Sequence, residues 1–283
     1  MVVTIPSLPD PVLVELDGAT IATYRLGDGP VSDTVVFCHG TPWSARVWAE
    51  AAIDIARHRP VLLWDMPGYG RSTKDLSVPL GLGAQGARLA ALLDRFGLER
   101  PHVVAHDVGG AVALGAHLRQ GRDYASLALW DVVTLDPWGS PFFRLVAEHA
   151  DVFAALPPRL HAALVTEYIA GAGNGTLPAA ALAVLREPWT DAEGQSGFYR
   201  QIAALRPADT RPLVERLADI RCPVTIGWGG EDPWIPVEQA HRLRAAIPGA
   251  SEPLILDGVG HLAPVEAADR VADAIRDGLA VTG

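Results

Sequence analysis

The sequence predicts an α/β protein: a mostly parallel sheet covered by helices on both faces, with a helical cap inserted after the sixth strand. Three observations carry that reading. Short apolar runs bounded by turn residues recur along the 283 residues. From the third run onward, most are separated by amphipathic helix-like segments, the pattern of parallel strands buried on both faces. The alternation then fails once, between Asp136 and about Pro212, where no strand-like run occurs.

The runs, in order, are PVLVEL, ATIATYRL, DTVVFCHG, RPVLLWDMPG, PHVVAHDVGG, SLALWDVV, CPVTIGWGGED and EPLILDGVGH. The first two have no helix between them, so an antiparallel hairpin opens the sheet. Leu80 to Phe96, with Leu82, Leu89, Leu92 and Leu93, and Ala111 to Gln120 read as covering helices. The interruption holds four helix-like pieces, SPFFRLVAEHADVFAAL, PPRLHAALVTEYIAG, LPAAALAVLREPW and GQSGFYRQIAAL, separated by Pro and Gly. Residues 1–135 and 213–283 are therefore assigned to the core and 136–212 to the cap. The glycines of GAGNGT, Gly171 to Thr176, lose much entropy on ordering, which makes that turn the expected most mobile piece of the cap.

Composition bounds the function. With 49% apolar and 20% charged residues the chain can bury a large core. Its 23 basic and 33 acidic side chains leave a net charge of −10 without a basic cluster, which argues against nucleic acid or an anionic membrane as partner. Cys38 and Cys222 each sit in an apolar run, as buried thiols of a reducing compartment do. The opening MVVTIPSLPDPVLVEL lacks the features of a secretion signal, and no stretch approaches the roughly 18 continuous apolar residues of a membrane span. A cytoplasmic location is expected, with a small apolar molecule and water as the partners; oligomeric state is not legible.

In open parallel sheets, ligands bind beyond the carboxyl ends of the strands. Four strand ends here are chemically loaded: His39-Gly40-Thr41-Pro42, His106-Asp107-Val108-Gly109-Gly110, Gly229-Gly230-Glu231-Asp232 and Gly258-Val259-Gly260-His261. A turn aspartate or a buried histidine is ordinarily structural, and Asp107 alone would pass for a helix N-cap. Four such ends in this order point instead to a catalytic constellation.

Taken together, the chain resembles an α/β-hydrolase over nearly its whole length, with Ala105-His106-Asp107-Val108-Gly109 at the nucleophile elbow. Small residues at 105 and 109 permit the strained strand-to-helix turn, and the order Asp107, Asp232, His261 matches the family's nucleophile, acid and histidine. Aspartate at the elbow resembles the branch that contains epoxide hydrolases and haloalkane dehalogenases. The resemblance implies no metal or organic cofactor, and a cis bond before Pro42 in the family's HGxP motif.

The chemistry of that branch follows from the side chain. A carboxylate is anionic at neutral pH and displaces a leaving group from saturated carbon, giving an alkyl ester that water must hydrolyse. His261 would deprotonate that water, Asp232 would orient the imidazole, and the N–H groups of Thr41 and Val108 would hold the oxyanion. Asp131, ending the sixth strand, is the rival relay acid. His39 reads as a loop brace, His106 as an orienting neighbour, and WDMPGYGRS as a structural turn.

The leaving group separates the two activities. Epoxide opening needs an acidic O–H donor, and the family segment with the second cap tyrosine maps to Tyr199 in GFYRQ. Where the first would lie, WGSPFFRL offers Phe142 and Phe143, leaving Tyr168 as a substitute donor. Halide release needs N–H donors, for which Trp43, Trp138 and Trp189 are the candidates. Val108 stands where the fluoroacetate-type subgroup has arginine, and no serine occupies the elbow as in an esterase. The reading is an epoxide hydrolase acting on a small or medium apolar epoxide, with haloalkane dehalogenase as alternative and a non-catalytic ligand-binding relative as a minor one.

Overall fold

Apolar runs with little polar interruption form strands when helices cover both faces, and all eight runs do so here. The computed structural model describes residues 4–175 and 177–280. Among them the strands are β1 (Val12–Leu16), β2 (Ala19–Leu26), β3 (Val35–Cys38), β4 (Val61–Trp64), β5 (His102–His106), β6 (Ser126–Trp130), β7 (Val224–Gly229) and β8 (Leu254–Leu256). They make one sheet in the order β1-β2-β4-β3-β5-β6-β7-β8. β1 and β2 form the expected antiparallel hairpin, and β2 also runs antiparallel to β4. Every pairing from β4 to β8 is parallel. β3, β4 and β5 are buried at every residue, which explains their continuous apolar character.

The helices are α1 (Ala49–Ile55), α2 (Leu82–Arg95), α3 (Val108–Leu118), α4 (Pro141–Ala154), α5 (Pro158–Ala170), α6 (Ala179–Arg186), α7 (Ala192–Ala203), α8 (Arg211–Val214), α9 (Glu238–Ala246), α10 (Ala263–Glu266) and α11 (Ala268–Ala280). α3 packs on α2 and against β3 and β5, while α11 packs on α1 and β6. α2 shows why such helices cover a sheet: Leu82, Leu89, Leu92 and Leu93 fall on its buried stripe while Asp94 and Arg95 face solvent.

Between β6 and β7 the chain is helical, as the missing alternation requires. α4 and α7 pack together, and α5 lies on α6 and α7. The glycine turn after α5 departs from expectation, because it is tied to the core. Ala172 accepts the backbone N–H of His261 at 2.9 Å. Asn174 donates its backbone N–H to Glu266 at 2.9 Å and its side-chain amide to the Gly258 carbonyl at 3.0 Å. Thr176, the last residue of that turn, lies outside the described residues.

Cys38 and Cys222 are buried free thiols. Among the described residues, no helix is long and apolar enough to cross a membrane.

Candidate active site

The site begins with one strained residue. β5 ends at His106, α3 begins at Val108, and Asp107 between them has φ 53° and ψ −129°. Such a conformation in a non-glycine residue costs on the order of 1–3 kcal/mol and persists where the surroundings enforce it. Two glycines make room for it. A Cβ on Gly109 would lie 2.4 Å from the His39 carbonyl oxygen, and one on Gly40 would lie 2.3 Å from the Asp107 Cβ. The turn lifts a carboxylate above the carboxyl ends of the central strands.

Asp107 presents its two oxygens to different partners. Oδ1 accepts the backbone N–H of Thr41 at 2.9 Å and that of Val108. Oδ2 accepts from His261 Nε2 at 3.1 Å. Burial alone would raise this carboxyl, but the hydrogen bond and charge of His261, with His106 and the Thr41 N–H, hold it below the usual carboxylate range.

On the other side, His261 Nδ1 lies 2.8 Å from Asp232 Oδ2. Asp232 Oδ1 accepts the N–H groups of Trp234 (2.7 Å) and Ile235 (2.9 Å), which fixes the carboxylate. Burial lowers the basicity of an imidazole, yet the two flanking carboxylates outweigh it and raise His261 well above its ordinary value. Each ring nitrogen thus faces one carboxylate oxygen, an arrangement that favours the protonated ring.

The rival acid is nearby but does not touch the ring nitrogens. Asp131 has φ 45° and is fully buried; its Oδ1 accepts the Gly229 N–H at 2.7 Å, while Oδ2 has no partner. Burial and the neighbouring Asp232 push its carboxyl well above the usual range. Asp131, Asp232 and His261 bring one ligand-type atom each within 4.8 Å of one another. Both imidazole nitrogens of that group are already engaged by carboxylates, Nδ1 by Asp232 and Nε2 by Asp107.

A narrow cleft opens over Asp107, lined by Thr41, Val108, Val133, Trp138, Gly139, Ser140, Phe143, Tyr168, Trp234 and Ile235. Apart from Asp107 it has no ionisable carboxylate or cation. Tyr168, from α5, stacks on Trp234 with ring centroids 4.8 Å apart, and Trp234 lies 5.0 Å from the His261 ring. The Tyr168 hydroxyl has no hydrogen-bond partner among the described residues. Burial, the Asp107 charge and Tyr69 hold its phenol well above the ordinary value, so it remains a proton donor.

The other expected residues divide. Tyr199 is turned away from the cleft: it is fully buried, and its hydroxyl donates to His161 Nδ1 at 2.9 Å, whose Nε2 in turn donates to the Trp189 carbonyl at 2.7 Å. Trp138 lines the cleft, but its N–H goes to Thr210 Oγ1 at 3.0 Å; the Trp189 N–H goes to the Pro42 carbonyl at 2.9 Å. Trp43 lies outside the cleft lining, stacked on Trp234 at 5.8 Å with its N–H buried and unpartnered. Phe142 packs on Tyr168 at 5.0 Å, leaving Phe143 to face the cleft.

His39 braces its loop, donating from Nδ1 to the Gly40 carbonyl at 2.8 Å and accepting the Met66 N–H at Nε2, 2.9 Å away. His106 donates from Nε2 to the His261 carbonyl at 2.8 Å; burial and the charge of His261 lower it to about 4, so it is neutral. The Thr41–Pro42 bond is cis. The WDMPGYGRS turn is structural: the Asp65 carboxylate accepts from Ala45 N, Tyr24 Oη and Arg71 N at 2.7–2.9 Å.

The match to the alpha/beta hydrolase family model runs from residue 35 to 274, from the start of β3 into α11. The chain is a member of the alpha/beta hydrolase family. A solved alpha/beta hydrolase fold protein from Burkholderia ambifaria is 38% identical, superposes with a TM-score of 0.91, and matches over 96% of this chain and 99% of its own. A putative carbamate hydrolase RutD of Caulobacter sp. (strain K31) is 29% identical over 241 residues, 81% of this chain and 84% of the relative. The 2-hydroxy-6-oxo-2,4-heptadienoate hydrolase of Pseudomonas putida (strain F1) is 28% identical over 252 residues, covering 86% and 87%. The protein is a hydrolase of this family.

Sequence reasoning missed three members of the site. Trp234, which packs between Tyr168, Trp43 and His261, stands two residues past Asp232, where spacing assigns it no partner. Gln201 hydrogen-bonds Thr41 from 160 positions away, and His161 takes the Tyr199 hydroxyl from 38 positions away. For those two, sequence spacing names no partner so far along the chain.

Proposed function

We propose that this hydrolase uses Asp107 to open small or medium apolar epoxides through an alkyl ester, with Tyr168 as the proton donor to the departing oxygen. One observation carries the choice of leaving group. Among the described residues, Tyr168 supplies the cleft's one phenolic O–H, that hydroxyl has no protein partner, and its high pKa keeps the proton on it.

The division of labour within Asp107 supports the ester route. Oδ1 is held by two backbone N–H groups, which leaves Oδ2 to attack carbon. The ester carbonyl oxygen is then Oδ1, already between the donors that stabilise it as an oxyanion when water adds. Losing one such donor typically costs on the order of 3 kcal/mol of transition-state stabilisation. Alkylation also removes one of the two charges that keep His261 protonated, so its pKa falls and the ring is released to act as base when a base is needed.

Hydrolysis of a carbamate, the activity named for one relative, occurs at carbonyl carbon, where a carboxylate nucleophile would yield an anhydride. A haloalkane reading draws on the unpartnered Trp43 N–H, but that ring stacks on Trp234 and does not line the cleft.

The test compares two tyrosines. Tyr168→Phe should lower the pre-steady-state alkylation rate with an epoxide by roughly 10²- to 10⁴-fold, the usual range for general acid catalysis. Tyr199→Phe should leave that rate nearly unchanged, since its hydroxyl serves His161. A bromoalkane, whose halide departs without a proton, should react equally with both variants. Epoxide opening at the parent rate by Tyr168→Phe would refute the assignment.

The pH dependence has a definite sign. A carboxyl held below its usual value stays anionic into acid, so alkylation should persist there. Ester hydrolysis needs neutral His261 and should rise with pH as the imidazolium loses its proton. Single-turnover hydrolysis that is flat or falls with pH would exclude His261 as the base.

A further inference from the structure

The oxyanion-hole loop is held from the cap by a side chain to which the reaction so far gives no role. Gln201, on α7, is completely buried, and its Oε1 accepts two hydroxyls: Thr41 Oγ1 at 2.5 Å and Tyr69 Oη at 2.7 Å. Thr41 is the residue whose backbone N–H lies 2.9 Å from Asp107 Oδ1. A second cap contact reaches the next residue, where the Trp189 N–H donates to the Pro42 carbonyl at 2.9 Å. The neighbour Arg200 clamps α7 in place with four hydrogen bonds, at 2.7–3.2 Å, to the carbonyls of Lys74, Asp75, Leu76 and Val78. Gln201 Nε2, buried with no partner, shows that this carboxamide is not oriented by its own full satisfaction. It is held where its oxygen serves Thr41 and Tyr69.

We propose that Gln201 is a positioning residue for the oxyanion hole: by fixing the Thr41 side chain from the cap, it aims the Thr41 backbone N–H at Asp107 Oδ1. The inference rests on the Asp107 ester reading. Its consequence is specific to one half of the cycle. During alkylation Oδ1 loses negative charge, so loosening its donors does not oppose the step. During ester hydrolysis Oδ1 becomes the oxyanion, and a displaced donor is felt in full.

The experiment measures the two steps separately in Gln201→Leu, Gln201→Glu, Thr41→Val and the Gln201→Leu/Thr41→Val pair. Thr41→Val keeps the N–H and deletes only the hydroxyl that Gln201 holds. We expect Gln201→Leu and Thr41→Val each to slow single-turnover ester hydrolysis about 10-fold or more, with alkyl-enzyme accumulating and the alkylation rate within about threefold of the parent. The pair should be no slower than the worse single variant, because both remove one interaction. Gln201→Glu, which retains an acceptor oxygen, should recover part of the loss.

Equal slowing of both steps, additive losses in the pair, or hydrolysis at the parent rate in Thr41→Val would overturn the proposal. Thr41→Val carries the decision if Gln201→Leu does not fold. Absence of an Asp107 ester in the parent enzyme would refute the ester reading itself, a different result from any of these.

Discussion

Replacing His261 with glutamine is expected to stop the enzyme after its first half-reaction, with substrate carbon bound to Asp107. Attack needs only the anionic Oδ2 and a donor for the leaving group. Hydrolysis needs a base for water, and the ring nitrogen 3.1 Å from Oδ2 is the one in place. Glutamine preserves approximate volume and can donate a hydrogen bond but cannot take up a proton. Multiple turnover should therefore fall by several orders of magnitude, as when a member of a catalytic triad is removed. Intact-protein mass spectrometry should show one added substrate mass, and peptide mapping should place it on the segment containing Asp107. An adduct on another residue, or diol released at the parent rate, would exclude the ester route.

Asp232→Asn should be the next most damaging change. The Asp232 carboxylate meets His261 Nδ1 at 2.8 Å and is held by two backbone N–H groups. Asparagine would present either an N–H donor or a neutral acceptor there, so the ring would lose its orientation and the imidazolium its counter-charge. A loss of roughly 10⁴-fold in ester hydrolysis is the scale for such a replacement. Asp131→Asn should cost far less, because Asp131 touches neither ring nitrogen and its one hydrogen-bonded oxygen accepts from the Gly229 N–H. Rates of decay of the preformed alkyl-enzyme in the two variants decide between them. A larger loss in Asp131→Asn would transfer the relay role to β6.

Those contrasts show which parts of the molecule a linear reading reaches. The eight strands lie where their apolar runs place them, because a strand buried on both faces must be apolar almost throughout. The elbow, the histidine and the two acids were legible because each closes a strand, where topology converges. The tyrosines were not separable in the same way. Tyr199 sits on the buried stripe of α7, Tyr168 on a half-buried row of α5 beside the buried stripe of His161, Val165 and Ile169, and which hydroxyl faces Asp107 depends on His161, a partner that spacing alone does not assign. The tryptophans likewise read as N–H donors, yet the indoles of Trp138 and Trp189 donate to Thr210 and to Pro42. The glycine turn after α5 looked loose on composition, but composition does not register the carbonyl that accepts from His261.

That last contact bears on how the two halves of the chain relate. The helices between β6 and β7 hold the histidine loop through Ala172 and Asn174, and the opposite loop through Trp189 and Gln201. A hinged cover that swung clear of the cleft would have to surrender both grips, and with them the contacts that hold His261 and the Thr41–Pro42 loop. Such a cap is not an interchangeable module. Grafting it whole from a relative to change selectivity would also replace those contacts, so retuning should begin with cleft-facing side chains such as Phe143 and Trp138, leaving the four gripping residues in place.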